Sequence, residues 1–215
     1  RHMPIPIIDD ITAAQAGILR RMPLDEMTVP PALLDGIERI FGARLSPAEA
    51  VDRIIRDVRA RGDTALFDWS TQLDNASGGP LEVPRARWEQ AAEALDPALL
   101  ASLRLAAEQI ERFHRRQARN SWVDFSVEGA LGQLVVPLQR VGLYAPGGSA
   151  PLPSSLLMAA IPARVAGVEE LIVCSPPQRA TGEVHEIVLA AAYVAGVDRV
   201  FALGGAQVIA AMAYG

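Results

Sequence analysis

The chain has 215 residues, half of them hydrophobic. That is apolar content enough for the core of one large domain or two small ones, and too much for disorder. Lys and Arg number 20 against 25 Asp and Glu, a formal charge of −5, which disfavours a nucleic-acid-binding surface, normally a basic excess. One cysteine excludes an internal disulfide and a thiolate metal cage, and no uncharged apolar stretch approaches the ~18 residues of a membrane span. With no N-terminal signal pattern, the chain reads as a soluble cytoplasmic protein without a nucleic-acid or membrane partner.

In chain order, Arg1-His2-Met3 reads as a cloning remnant, and residues 4–34 as a leader segment with scattered Ile and Leu. From residue 46 to 117 the pattern is helical. Ser46-Pro47-Ala48-Glu49 is a capping box with proline at the first helical position. Val51, Ile54, Ile55 and Val58 follow at the spacing of one helix face. Gly62 predicts the end of that helix, and Asp63 the cap of the next, which turns Leu66, Trp69 and Leu73 inward. The sequon Asn75-Ala76-Ser77 lies in a loop, 75–80, and carries no message in a cytoplasmic chain. Leu81-Glu82-Val83 reads as a short extended piece.

A helix over 85–95 is followed by Asp96-Pro97, which caps a long one. Its apolar stripe is read as Leu99, Leu103, Ala106, Ala107, Ile110 and Phe113. Arg112, Arg115, Arg116 and Arg119 form its solvated face, and His114 is a structural residue with no second ligand or base near it in sequence. Residues 121–138 read as strand and turn.

From Arg140 the pattern changes to strand and helix in alternation. Strands are predicted at Val141–Ala145, Glu170–Ser175 and Arg199–Leu203, and helices at Pro153–Ala166, Gly182–Ala195 and Gly205–Tyr214. Pro162 falls inside the first helix, where a kink or a nearby helix break is expected, and His185 in the second, on a surface-type stretch. Cys174 lies in the apolar run Leu171-Ile172-Val173-Cys174 as a small buried hydrophobe. The fold class is α/β: a helix-rich N-terminal region, then a Rossmann-like half-domain with a parallel sheet.

Gly147-Gly148 and Gly204-Gly205 both follow strands, at the carboxyl ends where open parallel sheets bind ligands. Each precedes a helix whose amides and dipole favour an anion. Tyr144 and Gln207 stand at the same edge, a ring that can stack and an amide that can hydrogen-bond. Tight turns and a helix cap would explain the same residues. The G-x-G-x-x-G dinucleotide fingerprint is absent.

The wording of these blocks says more than their spacing. "RVGLYAPGGSAPLPSSLLMAAIPARVAGVEELIVCSPP" and "AGVDRVFALGGAQVIAAMAYG" resemble histidinol dehydrogenases, as do "VDRIIRDVRARGDTALFDWSTQLD" and "IERFHRRQ" upstream. The resemblance covers about residues 35–215. It implies oxidation of L-histidinol to L-histidine in two NAD-dependent steps, with a zinc ion that orients the substrate and an intertwined homodimer. It also implies that residues 35–139 begin one Rossmann-like domain and 140–215 a second, NAD-side domain, each incomplete. Carried over by motif, Tyr144 and Gln207 are the NAD contacts. The zinc ligands, the catalytic Glu-His pair and a further asparagine contact are expected beyond Gly215. His2, His114 and His185 are not assigned as zinc ligands, and the chain reads as an inactive fragment. A paralogue oxidising another small polar alcohol, such as a sulfonated diol, would share this half, and a non-catalytic nucleotide-binding or oligomerisation module is the alternative from another class.

Overall fold

A computed structural model describes residues 7–21, 29–74, 80–148 and 150–215; the sequon and its loop lie outside the described residues except for Pro80. The chain forms two compact units, Arg1–Ala50 and Val51–Gly215.

In the first unit, Asp10 caps the short helix α1 (Ile11–Ala16) by accepting from the amides of Thr12 and Ala13. Helix α2 (Pro31–Phe41) opens on a proline and ends at Gly42, whose φ of 65° allows its amide to return to the Glu38 carbonyl. The expected capping box is formed. The Ser46 amide donates to Glu49 Oε2 at 2.8 Å, and the Glu49 amide to Ser46 Oγ at 3.3 Å.

Helix α3 (Pro47–Arg61) runs from this box into the second unit, where Ile54 and Val58 are buried and Val51, placed on the same face by its spacing, is exposed. Gly62, at φ 58°, separates α3 from α4 (Asp63–Asp74), which buries Leu66 and Trp69. Helix α5 (Arg85–Ala94) buries Trp88, Ala91 and Ala92. Asp96 caps α6 (Pro97–Arg115) through the amides of Ala98 and Leu99.

The apolar stripe of α6 needs correction. Leu103, with Leu100, Ala107 and Ile110, faces the core, whereas Leu99 is exposed and Phe113 is 61% exposed. Both sides of the helix carry apolar residues, so its packing on α7 and α8 selects the face, and periodicity alone does not. The arginines 112, 115, 116 and 119 are exposed as expected. An antiparallel hairpin follows, β1 (Trp122–Ser126) and β2 (Gly129–Gln133), with every residue exposed.

The central sheet joins β3 (Arg140–Tyr144), β4 (Glu170–Ser175) and β5 (Arg199–Ala202), all parallel and in that order, with Tyr144 opposite Cys174 and Ser175 opposite Ala202. Alternation along β4 divides its side chains between two faces. Leu171 and Val173 join a cluster with Trp88, Leu157, Val188 and Leu189. Ile172 and Cys174 instead join Leu66, Leu203 and Val208 on the other side. One face is therefore covered by α7 (Pro153–Val165) and α8 (Glu186–Ala195), with α5 and α6 packed on them. The other is covered by α4 and α9 (Gly205–Tyr214). Beside β5, Leu81–Val83 adds an extended piece, the Ala202 amide donating to Leu81 O at 2.7 Å and the Val83 amide to Val200 O at 2.8 Å.

Helix α8 begins four residues later than its apolar pattern suggests. Gly182 has φ 72°, and His185 is the cap rather than a helical surface residue, its Nδ1 accepting from the Ile187 amide at 3.2 Å. Helix α7 continues through Pro162.

Candidate functional site

At the carboxyl ends of the three parallel strands the second unit opens a cleft of about 760 Å³, within the usual range of small-molecule sites. The end of β3 contributes Tyr144 and the segment after it Gly147 and Gly148; the segment after β4 contributes Pro176 and Arg179; Gly205 comes from the start of α9, and Asp74 from the end of α4. Gly147 and Gly148 of the first glycine pair and Gly205 of the second thus border one cavity.

Their lack of side chains has separate causes. A Cβ on Gly147 would collide with the Ser175 hydroxyl, and one on Gly204 would stand 2.6 Å from Pro176 Cβ. Gly205 combines a φ of 69° with a collision against the Gln207 side chain. At Gly148 the nearest atom would be Pro176 Cγ at 3.6 Å, an ordinary contact. Helix α9 opens directly at the cleft with Gly205, whereas α7 begins at Pro153, past the lining segment that ends at Ala150.

Tyr144 is 40% exposed, with its ring on the cleft wall. Burial pushes its phenol above the ordinary tyrosine range; a backbone hydrogen bond from Gly205 acts the other way, and the Asp74 carboxylate adds to the rise. Gln207 is fully buried. Its Nε2 donates to Asp74 Oδ2 at 3.2 Å, and its Oε1, lying under Gly205, has no hydrogen-bond partner. The Ser175 hydroxyl, under Gly147, is likewise buried and unpartnered. Burial also raises the Asp74 carboxyl, against the lowering effects of the Arg179 charge and the Gln207 hydrogen bond.

The structure brings Tyr144 and Gln207 together through Asp74, which sequence reasoning missed along with Arg179. One signal was available. Asp74 is an acid at the C-terminus of a helix, where the dipole opposes it by a few tenths of a kcal/mol. Cys174 is 2% exposed and burial pushes its thiol up to about 12, so it is no nucleophile at neutral pH. His114, whose ring meets Phe113 edge-on at 5.3 Å, and His185 both lie outside the cleft lining. Among the described residues no group of three or more His, Cys, Asp or Glu side chains could hold a metal ion, and no helix is long and apolar enough to cross a membrane.

Residues 43–215 match the family model for histidinol dehydrogenase. The chain is 50% identical over 202 residues to the histidinol dehydrogenase of Deinococcus radiodurans, covering 94% of this chain and 45% of that protein. To that of Thermus thermophilus it is 54% identical over 168 residues, 78% of this chain and 39% of the other. The crystal structure of histidinol dehydrogenase from Elizabethkingia anophelis matches with a TM-score of 0.73 at 29% identity, covering 86% of this chain and 43% of that one. The chain spans less than half the length of these relatives.

Proposed function

The chain belongs to the histidinol dehydrogenase family, and from that premise we propose that it takes part in oxidising L-histidinol to L-histidine, the closing steps of histidine biosynthesis. Each of the two steps removes a hydride from carbon and a proton from oxygen, and a water adds to the aldehyde before the second. NAD, when bound, supplies the hydride acceptor for both. The observation that carries the reading is the cleft bordered by Gly147, Gly148 and Gly205 at the carboxyl ends of the parallel strands.

The residues there fit a nucleotide. Tyr144 offers a ring face for stacking, while Arg179 and the opening of α9 offer positive charge for phosphates. The buried Oε1 of Gln207 is an acceptor lacking a donor, one residue layer below the cleft. Tyr144 is accordingly the contact the cleft presents to the cofactor, whereas Gln207, expected at the same edge, is buried beneath Gly205 and reaches the cleft through Asp74. Zinc does not fit the described residues of this chain, which gather no metal-binding cluster. A cytoplasmic homodimer is the assembly that goes with the proposal; the exposed Phe125, Val127 and Leu131 of the β1–β2 hairpin supply apolar surface for association.

The test is to supply the complete reading frame with zinc, NAD and L-histidinol and to measure NADH absorbance. Two NADH per L-histidinol is the expected stoichiometry. A folded, zinc-loaded protein that oxidises a different small polar alcohol and leaves L-histidinol untouched would overturn the substrate.

A further inference from the structure

Asp74 is the one carboxylate among the described residues lining the cleft. It comes from α4, far in sequence from the strand-end motifs, and its geometry is restrained on one side and open on the other. Oδ2 accepts from Gln207 Nε2 at 3.2 Å, while Oδ1 has no hydrogen bond among the described residues. The carboxylate packs against the Gly204 turn, where an added Cβ would stand 3.2 Å from Oδ2. Arg179 lines the same cleft, and its charge is felt at the Asp74 carboxyl. One cleft thus holds an aromatic face, a carboxylate fixed through one oxygen and a guanidinium, groups that match a nucleotide's base, ribose diol and phosphate in chemistry.

We infer that Asp74 reads the ribose of the cofactor, its carboxylate accepting from the sugar hydroxyls and turning away a cofactor that bears a 2′-phosphate. Gln207 is the positioning residue that aims it. A diol supplies two O–H donors to a carboxylate, a charge-assisted pairing of the stronger kind. A 2′-phosphate would instead set a dianion against a carboxylate in a partly dehydrated cleft, where like charges repel most. The same discrimination by an acidic side chain is known in dinucleotide-binding α/β folds with the glycine fingerprint. Here the acid arrives from a helix on the far face of the sheet. The inference rests on the cofactor reading above, and its test separates the two.

NAD and NADP are titrated separately, by calorimetry or tryptophan fluorescence, into the complete protein and its D74N, D74A, Q207L and Y144A variants, with circular dichroism to verify folding. The parent is expected to bind NAD at least tenfold more tightly than NADP. D74A is expected to weaken NAD by roughly tenfold to a hundredfold, the cost of a lost hydrogen bond to a charged group. D74N, which is isosteric and keeps an acceptor for Gln207, removes the charge alone, so NAD weakens, NADP strengthens and the preference collapses. Q207L moves the preference the same way by a smaller factor, and adds nothing to D74A in the double variant. If D74N and D74A keep the parent's NAD-to-NADP ratio while Y144A weakens NAD, Asp74 has no such role and the cofactor cleft stands. If Y144A also binds NAD as the parent does, or the parent binds none, both readings fall.

Discussion

Gln207 Nε2 donates to Asp74 Oδ2 at 3.2 Å, tying the first turn of α9 to the last residue of α4. The bond links two side chains 133 residues apart and sets a half-buried carboxylate on the cleft wall. Burial raises the Asp74 carboxyl above the ordinary aspartate value despite the opposing influence of Arg179 and Gln207. A carboxyl raised on folding is protonated more readily in the folded chain than in the unfolded one. Its ionised form therefore costs stability above the folded pKa, and the cost vanishes below the unfolded pKa, about 3.9. The Asp74→Asn variant is thus expected to melt above the parent at neutral pH, the gap closing as the pH falls below about 4. Thermal melts across that range provide the measurement, and a lower melting temperature for the variant at neutral pH would contradict the assignment. A stabilising loss of function at this position would mark the carboxylate as kept for binding.

Adjacent glycines in the first turn differ in what they tolerate. A Cβ on Gly147 meets the hydroxyl of Ser175, a fully buried residue, whereas one on Gly148 finds Pro176 Cγ at 3.6 Å. Gly147→Ala is expected to cost about 1–3 kcal/mol, the range for overpacking, and to weaken NAD binding by displacing the cleft wall. Gly148→Ala is expected to stay within about 0.5 kcal/mol of the parent. Denaturant titrations of the pair decide it; equal losses would mean that the turn, and not the Ser175 contact, sets the demand for glycine.

Much of the sheet was legible because β4 and its neighbours are short apolar runs separated by good helix signals, and Asp96 and Ser46 are caps of the common type. The start of α8 was not, because its cap is the imidazole of His185 and apolar residues continue on both sides of it. The face of α6 was misread for a similar reason. Leu99 and Phe113 extend the apolar stripe, and only the packing on α7 and α8 leaves them in solvent. Tyr144 could be placed at the strand end from the Pro-Gly-Gly turn after it. Asp74 could not be joined to it, since the contact is made through the tertiary fold, and neither could the burial of Gln207, which depends on α4 covering α9.

At the amino ends of the strands, opposite the cleft, Arg164 fastens two connections at once. It donates to the carbonyls of Val168, Glu169 and Gly196 at 3.0, 2.7 and 2.8 Å, and to Asp198 Oδ2 at 2.5 Å. That carboxylate also accepts from the Leu171 amide at 2.7 Å, which sets the start of β4 against the start of β5. Arg164→Met keeps the apolar stem and removes these donors, for an expected loss of about 2 kcal/mol. NAD affinity should be unchanged, because the site lies at the other end of the sheet. A comparable loss of NAD affinity at temperatures where the variant is folded would show that the two ends are coupled.

Cys174 gives a test of the sheet's second face. Its side chain, 2% exposed, packs with Leu66, Leu203 and Val208, and its sulfur lies 3.7 Å from Met212 Sδ. Burial alone pushes the thiol up to about 12. The neutral form is thus the one the fold accommodates. Its contribution to stability is intact below the ordinary thiol range and is lost as the pH rises from about 8.5 toward 12. At neutral pH the native thiol should resist a disulfide exchange reagent and react only as fast as the chain opens. In denaturant, one equivalent should react at once. Cys174→Ala should remove the pH-dependent fall in stability above about 8.5, at the cost of a small cavity. Rapid labelling of the native protein would mean that α4 and α9 do not hold that face closed, and with it the link between Asp74 and Gln207 would be lost.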